Sequence, residues 1–326
     1  MKRSPEIRWS VAALPLFVVI SASSVQAQPY PAQELHFISG FAAGNGADVF
    51  VRYFAEKIRP IANRTIVVEN KSGMNGGIAI EYVAKSKPDG YTVFVHAGSG
   101  IAANMHFYKN PPVDVVKALR LAATINRQAF MLTVDAKSPY MNVPELTAAM
   151  KLKGDTASYA TSSTTSKIMG EMYKQIAGIS AIEVPYKNAS DSFNDMMNGR
   201  IDFAPHDPVV ALSQARQGRL RVLAIAAGQR LNNVPDIPTM AESGVPGMDL
   251  VGWWSVSVPA ATPRPIVDQL NAWFNAVLST EETKKFLNNF GSDPFLSTPD
   301  EAQAMLEREV GVWGNYVRVA KIEPQG

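Results

Sequence analysis

The stretch FAAGNGADVF, residues 41–50, follows the apolar run LHFISG and opens into DVFVRYFAEKI, where Val49, Phe50, Tyr53, Phe54 and Ile58 keep a 3.6-residue period. It reads as a glycine loop between a strand and a helix. The same order returns at once. TIVVEN is a strand, NKSGMNGG (70–77) a second glycine loop and IAIEYVAKSK a helix. PDG then makes a turn, and YTVFVHAGSG (91–100) is a third strand with its exit loop. Strand, loop and helix repeated at this pitch predict right-handed crossovers and a parallel sheet.

A glycine loop in this position raises nucleotide binding first. Gly44 and Gly46 supply two glycines of G-x-G-x-x-G, Val49 takes the third place, and Glu69 stands near the spacing of a ribose-binding acid. A phosphate loop is excluded, because no Gly-Lys-Ser/Thr follows. The second loop shifts the balance toward another anion. Two helix N-termini at one sheet edge aim unpaired N–H groups and positive dipole ends into one crevice, which suits a carboxylate. Asn45 and Asn75 tolerate left-handed backbone and carry donor amides. Two ordinary tight turns remain the alternative at this point.

Downstream the α/β alternation renews itself. AFMLTVDA, TASYAT, AIEVPY, IDFAP and LRVLAIA read as strands. NVPELTAAMKL, SKIMGEMYKQIAG, ASDSFNDMMNG and VVALSQARQG read as helices, the last three closed by Gly178, Gly199 and Gly218. The proline- and glycine-rich stretch 232–249 is a connector, LVGWWSVSVPA a lone returning strand, and the remainder helical. Two α/β blocks joined by two crossings predict two lobes about a hinge. Each lobe would be a mainly parallel sheet flanked by helices, with a ligand cleft at the hinge. The expected division is residues 28–125 plus 248–326 for lobe 1 and 126–247 for lobe 2.

Residues 1–27 stand apart. Lys2, Arg3 and Arg8 precede the apolar VAALPLFVVISASSV, and Val25 and Ala27 sit at the small-residue positions of a cleavage site before Gln28. This predicts a cleaved signal peptide and an exported chain. Without the leader, 31 Lys and Arg fall to 28 and 29 Asp and Glu to 28, so the mature chain is neutral. Nothing in that balance favours nucleic acid or a membrane surface. There is no cysteine, so neither disulfides nor a leader lipid anchor is available.

Taken in order, these pieces resemble the Bug family, the periplasmic solute-binding proteins of tripartite tricarboxylate transporters. Tyr30-Pro31 and FAAGNGAD stand where the family has Tyr-Pro and Phe-x-Pro-Gly-Gly-x-x-Asp, with Ala43 for proline and Asn45 for glycine. NKSGMNG, PDGYT, VPYK, GRID, GRLRVLA, PDIPTMAESGVPG and WGNYVRVAKIEP follow in family order. The resemblance implies a carboxylate held by main-chain N–H groups of two first-lobe loops, here Ala43, Gly44, Asn45 and Gly46, and Gly73, Met74, Asn75 and Gly76. It also implies a two-lobed, type II-like periplasmic binding-protein fold and transporter membrane subunits as partners. The family's second-lobe Gly-x-Gly-Ser-x-x-His run is absent. SSTTSKIM stands there, with hydroxyls for glycines and Ile168 for histidine.

Further candidates come from the residues themselves. Thr161, Ser162, Ser163, Thr165 and Ser166 lie at a strand exit and helix start, one of them as a cap and others as ligand contacts. His96 and His206 follow strands at the ligand-binding edge, with Ser99 in the exit loop beyond His96. His36 and His106 read as structural. Asp207 is either a helix cap before Pro208 or a receiver for an amino group. Asp48 reads as a cap, and one of Trp253 and Trp254 faces the core. No metal site, cofactor or catalytic motif is expected, and the protein is read as a monomer. The alternatives are a receptor feeding a sensor kinase and an exported nucleotide-binding enzyme.

Overall fold

The computed structural model describes residues 30–44, 46–186 and 189–325. The leader and its cleavage point lie outside these residues, as does Asn45. From the N-terminal end run β1 (Leu35–Ser39), α1 (Gly46–Ala62), β2 (Ile66–Asn70), a 3-10 turn (Met74–Gly76), α2 (Gly77–Ala84), β3 (Thr92–Ala97), α3 (Gly98–Phe107) and α4 (Val115–Ala118). Next come β4 (Leu119–Ala129), β5 (Met131–Asp135), α5 (Val143–Lys153), β6 (Ser158–Thr161), α6 (Thr164–Ala177), β7 (Ile182–Pro185), α7 (Ala189–Met197), β8 (Ala204–His206), α8 (Pro208–Arg216) and β9 (Leu220–Ile225). The chain closes with β10 (Val251–Pro259), α9 (Arg264–Leu278), α10 (Glu281–Asn289), β11 (Ser292–Pro294) and α11 (Pro299–Val319).

The first sheet has the order β11-β4-β10-β3-β1-β2. The expectation of mainly parallel sheets needs correcting. Only β1 pairs in parallel, with β2 and β3, while β10 is antiparallel to β3 and β4, and β11 to β4. Parallel pairing occurs where a helix carries the chain back across the sheet. β4 and β10 instead arrive as crossing strands. In the second sheet system β5 is antiparallel to β8 and β9, and β6 pairs with β7 in parallel. A parallel bridge from Tyr159 to Phe203 joins the two parts.

Two crossings connect the sheets. β4 passes through Phe130 directly into β5, running beyond the boundary expected at residue 125 to Ala129. The return runs from β9 to β10, where Ala226 N donates to Phe130 O at 2.8 Å and Leu250 N to Ala226 O at 3.0 Å. The connector 232–249 contains neither helix nor strand.

Strand directions place the functional edge. β4 is antiparallel to β10, as is β3, so β4 ends on the same side as β1, β2 and β3. The first crossing therefore leaves from the carboxyl edge of the first sheet. β5 starts at that crossing, and β8 and β9, antiparallel to it, end there. β6 and β7 share the direction of β8. The helices that follow strands, α1, α2 and α3 on one side and α6, α7 and α8 on the other, thus begin at the boundary between the sheets.

Burial holds this frame. Phe37 and Phe54 stack on Phe274 at 5.9 and 5.8 Å between sheet and helices, all three fully buried. Each such side chain contributes about 1.5–3 kcal/mol. No described helix is long and apolar enough to cross a membrane.

Candidate functional site

The first loop is tied from inside. Gly44, at φ 82°, donates its N–H to Asp48 Oδ2 at 2.9 Å, and Arg52 Nε reaches the same oxygen at 2.9 Å. Asn70 Nδ2, at the end of β2, donates to Asp48 Oδ1 at 2.8 Å and to Phe41 O at 3.0 Å. Burial alone would raise the Asp48 pKa, but Arg52, the Gly44 amide and Asn70 together hold it below the ordinary carboxylate value. Asp48 lies within the first turn of α1 and is consumed in shaping the loop. Ala43 and Gly44 are exposed, and Gly46 opens α1.

The second loop carries an unusual backbone. Gly73 has φ 130°, and Met74, Asn75 and Gly76 follow at 49°, 51° and 88°. Four successive residues at positive φ turn the chain sharply into α2, a conformation glycine adopts most readily. Asn104 Nδ2 donates to Asn75 O at 3.1 Å. Met74 and Asn75 are exposed.

A third helix start, absent from the sequence expectation, completes this edge. The GSG after β3 is the first turn of α3, not a loop. Ala97 is its N-cap, and Gly98 lies so close to the fully buried Trp253 that a Cβ there would stand 2.1 Å from the indole. Ser99 is 6% exposed in that turn. Neither α2 nor α3 has a side-chain cap, whereas Asp114, Asn142, Ser163, Asp207, Thr280 and Thr298 cap α4, α5, α6, α8, α10 and α11. Among the α-helices whose N-cap is described, α9, opened by Pro263, also lacks one. α2 and α3 follow β2 and β3, on either side of β1, and first turns that no side chain caps can hold an anion, although Gly77 N–H already donates to Met74 O.

His96 ends β3 between these helices. Its ring lies 4.4 Å from Phe41, 4.8 Å from Phe94 and 6.2 Å from Trp254, centroid to centroid. It is 1% exposed, its Nδ1 has no hydrogen-bond partner, and burial pushes its pKa down to about 3. It is a neutral imidazole at working pH.

In the second sheet system the hydroxyl run divides. Ser163 Oγ accepts from Ser166 N at 3.2 Å, and Ser166 Oγ accepts from Ser162 N and Ser163 N, both at 3.0 Å, forming a capping box. Thr161 Oγ1 donates to Glu183 Oε1 at 2.8 Å, and Lys167 lies 2.8 Å from the other carboxylate oxygen. Ser162 and Thr165, half-buried, keep hydroxyls outside this network. Ile168 is fully buried.

His206 is satisfied internally. Its Nδ1 lies 2.8 Å from Thr133 Oγ1 and its Nε2 3.1 Å from Ser192 Oγ, and burial lowers its pKa to about 4. Asp207 caps α8 by accepting from Val210 N at 3.2 Å. Burial raises its pKa against the hydrogen bonds of that turn. Glu69, the acid a dinucleotide would need, is held by His36 at 2.7 Å and Lys71 at 3.2 Å. His106 contacts Val310 O at 2.6 Å, a packing role. Trp254, 6% exposed, joins Phe41 and His96, while Trp253 faces Gly98.

Two surface hollows of about 370 and 470 Å³ lie elsewhere, one on α2 around Ile78 and Tyr82, the other between α5 and residues 243–245. Among the described residues no three acidic or histidine side chains are grouped to hold a metal.

Residues 50–321 match the family described as "Tripartite tricarboxylate transporter family receptor". Protein BugT of Bordetella pertussis is 26% identical over 313 residues, covering 94% of this chain and 96% of BugT. A UPF0065 protein of Bordetella bronchiseptica is 27% identical over 312 residues, covering 95% of this chain and 92% of that one. Among solved structures, R. palustris Rpa4515 with adipate superposes at a TM-score of 0.82 and 27% identity, over 91% of this chain and all of that one. The periplasmic binding protein BugD gives 0.80 at 27% identity, again over 91% and 100%. The chain belongs to the tripartite tricarboxylate transporter receptor family, the Bug-type periplasmic solute-binding proteins.

Proposed function

We propose that this protein captures a small organic carboxylate in the periplasm and delivers it to the membrane subunits of a tripartite tricarboxylate transporter. The N-termini of α2 and α3, which no side chain caps, at the sheet edge where the chain crosses, carry this reading. Uncapped N–H groups with aligned dipoles are suited to a carboxylate, and hydrogen bonds to an ionised acceptor are about twice as strong as neutral ones. The second anchor would come from Ser162 and Thr165 at the opposing strand exit. A dicarboxylate is the first choice of ligand, in keeping with the adipate of Rpa4515. No chemical step is assigned, export by a leader cleaved before Gln28 belongs to the same reading, and the lobes 28–125 plus 248–326 and 126–247 close as a monomer.

The test is calorimetry on the chain from Gln28 onward against adipate, shorter dicarboxylates, citrate, benzoate, amino acids and NAD, preceded by a thermal-shift screen. A ligand at a hundred times its Kd adds about 2.7 kcal/mol of stability, a readily seen shift. Saturable binding of one carboxylate class is the expected result. Binding of NAD without any acid would return the glycine loops to the nucleotide reading.

A further inference from the structure

The placement of the His96 ring points to a specific contact within the proposed site, and so rests on that reading. A Cβ built on Gly76 would stand 2.5 Å from His96 Nε2, and one on Gly100 3.7 Å from the same nitrogen. Gly76 is the N-cap of α2, and Gly100 lies in the first turn of α3. The Nε2 edge therefore looks toward both uncapped helix starts. The opposite edge is turned to Gly40, where a Cβ would stand 3.0 Å from Nδ1, and that nitrogen is buried without a partner.

A neutral imidazole has one proton to place. Putting it on Nδ1 would bury an orphaned N–H against glycine and aromatic carbon, whereas a lone pair there is the lesser penalty. The proton belongs on Nε2, beside the first turns of α2 and α3, which no side chain caps. We propose that His96 contacts the ligand directly, its neutral Nε2–H donating to the carboxylate bound between the first turns of α2 and α3.

The groups facing the ring are Gly40 and Phe41 from the exit of β1, Gly76 from α2, Gly100 from α3, Phe94 from β3 and Trp254 from β10. None of them titrates, and the charged pair of the first loop, Asp48 with Arg52, is engaged with Gly44 and Asn70. Recognition is then by a fixed dipolar donor, not by an imidazolium. Affinity for a fully ionised acid should stay flat across the range where an ordinary histidine titrates, near 6.5.

The experiment measures adipate binding by calorimetry at pH 6 and pH 8 for the unaltered chain, His96→Phe and His96→Gln, with thermal unfolding as the folding control. Phenylalanine preserves the wedge between Gly40 and Gly76 but not the donor, and glutamine restores an N–H of similar reach. We expect His96→Phe to fold and lose roughly ten- to a hundred-fold in affinity, the range for hydrogen bonds to charged groups. His96→Gln should recover part of the loss, and the unaltered chain should change less than about two-fold with pH. Equal affinity in His96→Phe would overturn the contact and leave a spacer. A marked gain at pH 6 in the unaltered chain, absent from His96→Gln, would overturn the neutral donor in favour of proton uptake. If His96→Phe failed to fold, His96→Gln decides alone: affinity near the unaltered chain's supports the donor, and loss equal to background overturns it. Absence of any acid's binding to the unaltered chain would remove the functional reading and this contact together.

Discussion

Gly76 and Gly44 both hold left-handed backbone, at φ 88° and 82°, yet they face different surroundings. A methyl group on Gly44 would meet nothing within 4 Å, whereas on Gly76 it would overlap the His96 ring, which Phe41 and Phe94 already confine. Gly44→Ala should therefore carry only the backbone penalty, about 1 kcal/mol. Gly76→Ala adds overpacking, for a total of about 2–4 kcal/mol, and displaces the second loop. Urea unfolding gives the stability difference, and calorimetry should show weaker carboxylate binding for Gly76→Ala than for Gly44→Ala. Equal effects at the two positions would mean that the contact between Gly76 and His96 does not shape the loop.

At the scale of elements, the start of α6 separates structural hydroxyls from available ones. Ser163→Ala removes the cap of Ser166 N and should lower stability by about 1 kcal/mol with affinity unchanged. Thr165→Val leaves the cap alone and should stay within about 0.5 kcal/mol of the parent while weakening ligand binding. Unaltered affinity in Thr165→Val would remove that residue from the second-lobe contact. Sequence could show that this run holds a cap and several spare hydroxyls, but not which was which, because that depends on which N–H each oxygen consumes. The repeated strand, loop and helix of the first sheet was legible because its periods are clean. β4 was not. It is buried on nearly its whole length, so no alternation marks it. The start of α3 was hidden for another reason: Gly-Ser-Gly has turn composition, and only packing of Gly98 against Trp253 explains its place in a helix. The antiparallel placing of β10 was equally beyond reach, since direction within a sheet follows from the path of the crossings and not from local pattern.

For the whole molecule the decisive feature is where the two crossings between the sheets meet. One crossing is Phe130 alone between β4 and β5, and the other is anchored to it through Ala226 and Leu250. Close to the carboxyl end of β4 the ladder with β10 is irregular, with a register shift between Trp254 and Ser255. A one-residue connection beside an irregular ladder can absorb a change in backbone angles while the packed sheets move as bodies. A ligand shifts such an equilibrium only by its differential affinity for the two arrangements. Here that difference would come from strand exits on both sides, the N–H groups of α2 and α3 and the hydroxyls of Ser162 and Thr165, which a small acid engages together only when they approach. Small-angle scattering of the chain from Gln28 onward, with and without saturating adipate, should therefore show a smaller radius of gyration in the bound form. Thr165→Val at saturation should close less completely, because one side of the bridge is weakened while the carboxylate stays on the other. Identical scattering profiles with calorimetrically proven binding would sink the closure while leaving the carboxylate site in place.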